Sequence, residues 1–281
     1  VSLDHDNCNH CFGRFTGRIY LQRSYKFSYY CWNCRCFLSF VFDFEKEKKD
    51  NITIQNLQLF LNLEKCIIFT FYKMKYELQL IISGKSEVKH GTIIQAAASY
   101  LRRSQSSSEM AKEFKYFKRQ EAETLIRFIN KNKLWVSDID PENYVSEGAE
   151  QKVYLKDGKN VLKLNDSIYY NSWIDYFNNL LLNNFFFPDT AYNLLGFYKH
   201  EEIIYAVVEQ PFVKATEKTD LEMVKNFMSA NGFENIKNND YLNPDLGIIL
   251  EDLHDENVLT ENGILKFIDT VFYIQDTFYK K

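Results

Sequence analysis

Beyond Ser137 the chain falls into short apolar runs that alternate in polarity, and they begin with a hairpin. Val153 and Leu155, the turn Lys156-Asp157-Gly158-Lys159, then Val161, Leu162 and Leu164 predict two strands closed on an Asp-Gly pair. A helix is predicted over residues 166–184, with Ser167 as a cap and Ile168, Trp173, Tyr176, Phe177 and Leu180 buried. Strands follow over 192–198 and 203–208. A second helix over 220–230 is stopped by Asn231-Gly232. Short strands over 247–250, 257–259 and 264–268 complete the region, with a polar loop between the first two of them. This order predicts an α+β fold with an antiparallel N-terminal sheet.

Upstream, residues 52–82 alternate loosely (Ile52, Ile54, Leu57, Leu59, then Tyr76, Leu78, Leu80, Ile82) and predict strands. Residues 92–103 predict a helix with Ile93, Ala96, Ala97 and Tyr100 on one face. A connector, Ser104–Ser108, leads to an amphipathic helix over 109–132 marked by Phe114, Phe117, Ala122, Leu125, Ile126 and Ile129. Residues 137–143 (SDIDPEN) form a turn-rich boundary. Three segments result: 1–73, 74–136 as a strand and helix extension, and 137–281 as the main domain.

The front segment differs in composition. All 6 cysteines precede residue 67, and no methionine precedes Met74. Net charge is +3 before Met74 and −7 after it, within a total of −4. Cys8-x2-Cys11 and Cys31-x2-Cys34 have the spacing of a tetrahedral Zn²⁺ ribbon, with Gly13 suited to a knuckle turn. A second reading takes residues 1–73 as sequence foreign to the native chain. A cytosolic compartment argues against disulfides. With 46% hydrophobic and 26% charged residues the chain has a foldable composition. It contains no apolar run of roughly 18–20 residues and no leader pattern at Val1, so it reads as a cytoplasmic protein with no membrane partner.

The polar loop carries the chemistry. Asp252 and Asn257 stand five apart, and Asp269 ends the last predicted strand after a turn at Asn262-Gly263. Phosphoryl transfer needs a carboxylate to orient the acceptor hydroxyl, and an amide with a second carboxylate to hold Mg²⁺. These three residues supply that set in that order. Asp252 and Asn257 taken alone read equally well as turn residues. His254 reads as a structural loop residue, and Asp255 as a rival base with the wrong spacing to Asn257.

The run Asp252-Leu253-His254-x-x-Asn257-Val258-Leu259 resembles the catalytic loop of aminoglycoside phosphotransferase-like kinases. The resemblance implies that Asp269 stands at the metal aspartate of Asp-Phe-Gly, with Thr270 and Val271 replacing Phe-Gly. It implies that Lys163 grips the ATP phosphates and that Gly148, in SEGAEQ, marks the glycine-rich loop. Glu209 and Gln210 then mark a hinge that receives adenine through backbone groups. Asp175 fits poorly as the helical partner of Lys163, being short. Residues 90–103, 185–197, 206–213 and 247–272 are similar to the kinase-like domain of bacterial polyvalent proteins of phages and conjugative elements. That implies a kinase-type fold with a short C-lobe and ATP and Mg²⁺ as cofactors. It implies phosphotransfer to a hydroxyl of a protein or a small molecule. The alternative is a non-catalytic pseudokinase whose zinc ribbon, with Arg14, Arg18 and Arg23, contacts nucleic acid.

Overall fold

The computed structural model describes residues 16–19, 24–30, 37–43, 71–105, 114–137, 139–148 and 151–280. Cys8, Cys11, Cys31 and Cys34 lie outside them, so the zinc expectation falls there too. The first elements are an antiparallel meander of β1 (Thr16–Ile19), β2 (Ser24–Tyr30) and β3 (Phe37–Asp43).

Residues 71–82 are helical, which corrects the strand reading there. Phe71, Met74, Leu78, Ile81 and Ile82 are buried, a spacing of three and four that the alternating Tyr76, Leu78, Leu80 and Ile82 disguise. Helices α1 (Gly91–Gln105) and α2 (Phe114–Asn132) follow. The buried face of α1 is Ile94, Ala97, Ala98 and Leu101, one position on from the expected one apart from Ala97. Arg102 explains the rotation, because it donates to the Ile82 carbonyl at 2.6 Å and to Oδ1 of Asn178 at 2.7 Å.

The predicted hairpin is present as β5 (Gln151–Leu155) and β6 (Asn160–Asn165), after a short β4 (Tyr144–Glu147). Oδ1 of Asp157 accepts the backbone N–H groups of Lys159 and Asn160, both at 2.7 Å, and this fixes the turn. With β7 (Asn193–His200) and β8 (Ile203–Pro211) these strands form an antiparallel sheet in the order β4-β5-β6-β8-β7. Gly196 lies against residues 134–136, where an added Cβ would meet the Leu134 carbonyl at 2.3 Å.

Between β6 and β7 runs α3 (Trp173–Phe186). It starts seven residues later than expected. Ser167 is not its cap: it has φ 59, and the cap is Ser172, whose Oγ accepts the Asp175 N–H at 3.0 Å. Nζ of Lys118 holds the intervening loop by donating to the carbonyls of Ser167, Ile168 and Tyr170. Ile168 is 65% exposed rather than buried, whereas Trp173, Tyr176, Phe177 and Leu180 are in the core.

α3 is buried on nearly every side, and its four buried asparagines are all hydrogen-bonded. Asn179 accepts from the Phe272 N–H at 2.9 Å, and Asn184 brackets Tyr192 with bonds of 2.7 Å to its N–H and to its carbonyl. The helix therefore organises polar segments on several sides as well as apolar ones.

Further along come α4 (Leu221–Ala230), capped by Asp220, and the antiparallel strands β9 (Glu234–Lys237), β10 (Asp240–Asn243) and β11 (Ile248–Glu251). The hairpin of β12 (Val258–Glu261) and β13 (Ile264–Phe267) turns at Asn262-Gly263, and β14 (Val271–Ile274) follows. The fold is α+β with antiparallel sheets. The chain divides into two compact units. One comprises residues 1–77, 220–251 and 274–281; the other comprises 78–219 and 252–273, and holds α1–α3, the five-stranded sheet and the β12–β13 hairpin. Among the described residues no helix is long and apolar enough to cross a membrane.

Candidate functional site

Lys163 is the third-last residue of β6, with its side chain directed into the unit and only 4% of the residue exposed. Its Nζ donates to the Ile268 carbonyl at 2.8 Å and lies 3.9 Å from Oδ2 of Asp269. The ring of Tyr192 stands 5.6 Å away, measured to its centroid, and the Tyr192 hydroxyl donates to the same carbonyl at 2.9 Å. Burial pushes the Lys163 amine below its ordinary pKa, and the Asp269 carboxylate works in the opposite direction. Sequence reasoning placed Lys163 on the right strand; its partners come from residues 268–269 and from Tyr192.

Asp269 is set by backbone pairing. The N–H groups of Ile268 and Asp269 donate to the Asn257 carbonyl at 2.9 and 3.3 Å, so the two residues meet although twelve positions apart. On the side of the five-stranded sheet, Nε2 of Gln151 donates to Oδ2 of Asp269, a contact that the sequence reading missed. On the other side, Thr270 donates to Oδ1 of Asn183, so the residue after Asp269 anchors this segment to α3.

Asp252 sits at φ 67, a left-handed conformation that aspartate tolerates better than most residues but that still costs on the order of 1 kcal/mol. Nδ2 of Asn257 donates to the Asp252 carbonyl at 2.9 Å and to its Oδ2 at 2.8 Å. Nε2 of His254 lies 3.3 Å from Oδ1. The six-residue loop thus closes on itself around one exposed carboxylate. Asp255 points away toward Lys218, 4.0 Å distant.

The remaining expected residues are engaged elsewhere. Glu209 accepts from Lys156 at 2.6 Å and from Asn193 at 3.2 Å, and the Lys156 contact lowers its pKa. The Gln210 side chain is buried and donates to the Thr190 carbonyl at 2.8 Å. Both side chains therefore serve the fold, and Glu209 pairs in the sheet with Leu162 on β6 and Asn193 on β7. Gly148 donates its N–H to the Gln151 carbonyl at 2.9 Å, and a Cβ there would meet nothing within 4 Å. Asp175 lies in the first turn of α3, where its Oδ2 accepts from the Ser172 hydroxyl at 2.8 Å.

The oxygen chemistry of the site suits a hard cation. Both amide hydrogens of Asn257 are directed to Asp252, which leaves Oδ1 as its donor atom, and the Asp269 carboxylate is 35% exposed. Among the described residues no group of three or more His, Cys, Asp or Glu could hold a metal. A site made from one carboxylate and one amide needs phosphate oxygens and waters to complete it, the usual Mg²⁺ arrangement.

Residues 118–276 match the model of the Serine/Threonine/Tyrosine Kinase found in polyvalent proteins. The chain belongs to this kinase family. The matched span takes in α2 from Lys118 onward, the five-stranded sheet, α3 and the whole Asp252–Asp269 region. No curated protein and no solved structure matches the chain.

Proposed function

We propose that the chain is an ATP-dependent phosphotransferase that moves the γ-phosphate to a hydroxyl acceptor on a protein or a small molecule. Asp252 orients that hydroxyl and accepts its proton. Lys163 holds the ATP phosphates, and backbone groups near Glu209 and Gln210, with the loop at Gly148, receive the nucleotide. Asn257 and Asp269 hold Mg²⁺, which when bound neutralises charge on the transferring phosphate. The observation that carries this reading is the convergence on Asp269. A buried ammonium lies 3.9 Å from its carboxylate, and its backbone is hydrogen-bonded to the residue that also clasps Asp252.

The test is calorimetric titration of the full chain with ATP, with and without Mg²⁺. The wild type binds ATP more tightly with the metal, and Asp269→Asn loses that dependence. An unchanged Mg²⁺ dependence in the variant refutes the metal role of Asp269.

A further inference from the structure

We infer that His254 is a positioning residue that fixes the Asp252 carboxylate for the acceptor hydroxyl. Its consequence for turnover rests on the phosphotransfer reading, but its geometry does not. Nδ1 of His254 accepts the backbone N–H of Glu256 at 3.2 Å, so the ring hydrogen is carried on Nε2. Nε2 lies 3.3 Å from Oδ1 of Asp252 and 3.2 Å from Nδ2 of Asn257. The Asn257 amide has two hydrogens, and Asp252 takes both, through its carbonyl and through Oδ2. The amide therefore offers nothing for the ring to accept, and the ring is the donor. Oδ1 of Asp252 is the acceptor within its reach.

The carboxylate is thus gripped at both ends, by residue 254 on Oδ1 and by residue 257 on Oδ2. The Asp252 side chain is 57% exposed, so packing does little to hold it. Backbone bonds hold residue 254: its N–H reaches the Asp252 carbonyl at 3.0 Å, and its carbonyl accepts from Val258 at 2.9 Å.

The experiment measures ADP release from ATP–Mg²⁺ by the full chain, in the presence of a mixed Ser/Thr/Tyr peptide pool. His254→Ala is expected to lower kcat by about 10- to 100-fold, with KM for ATP changed by less than about twofold. His254→Gln, which places an amide N–H near the Nε2 position, is expected to recover most of the loss. A defect that falls on KM, or a Gln variant no better than Ala, overturns the inference. Ring ¹⁵N spectra of the wild type supply a readout independent of turnover and of the folding of any variant. An unprotonated Nδ1 with a protonated Nε2 is expected, and the reverse tautomer overturns the inference. A wild type that shows the expected tautomer but turns over no ATP supports the geometry and refutes phosphotransfer to peptide hydroxyls.

Discussion

The Thr270 hydroxyl donates to Oδ1 of Asn183 across 2.9 Å, and both residues are buried. This bond joins the residue after Asp269 to the third turn of α3, while the Asp269 N–H pairs with the Asn257 carbonyl on its other flank. The carboxylate is carried on a backbone tied down at both sides, by Asn183 and by Asn257.

Thr270→Val keeps the shape of the side chain and leaves Oδ1 of Asn183 buried without this donor. Such a loss costs about 1–3 kcal/mol. Urea unfolding is expected to show a lowered midpoint with an unchanged slope. An unaltered midpoint rules out the bond as a structural tie.

Asp252 and Lys163 separate turnover from binding. Asp252→Asn is expected to keep ATP affinity and lose about 10²- to 10⁴-fold in turnover, because an amide cannot take the acceptor proton. Lys163→Met removes a buried amine whose charged form is penalised by desolvation, so stability is expected to hold or rise. ATP affinity is expected to fall about tenfold or more. Equal turnover by wild type and Asp252→Asn rejects Asp252 and makes Asp255 the next residue to test.

Glu121 on α2 accepts the N–H groups of Trp173 at 2.8 Å and Ile174 at 3.3 Å, and so caps the start of α3 from another helix. Burial raises its pKa to about 7, against the pull of those two N–H groups and of Lys118, with Asp175 adding to the rise. The folded state thus favours the protonated acid. This contribution to stability is complete below the unfolded value near 4.5 and is lost as pH rises through about 7. Relative to Glu121→Gln, the wild type is expected to lose on the order of 2–3 kcal/mol of unfolding free energy between those pH values. Parallel stability profiles for the two proteins contradict the shift.

Local chemistry alone determined much of this protein. The Asp-Gly hairpin, the stop of the 220–230 helix at Asn231-Gly232, the strand that carries Lys163 and the pair Asp252 and Asn257 are written in spacings of one to five residues. Turn preference and period act over the same distance, so they are legible without the fold. Tertiary contacts decided the rest. Lys118 holds the loop of 167–170 and moves the start of α3 to Trp173; Arg102 is bonded to Asn178 and Ile82 where α1 buries a shifted face. Gln151 reaches Asp269 from 118 positions away, and Asn183 reaches Thr270 from 87. A single side-chain hydrogen bond of that kind leaves no trace in local hydrophobicity, because its donor and acceptor become neighbours only after the sheet and α3 have packed.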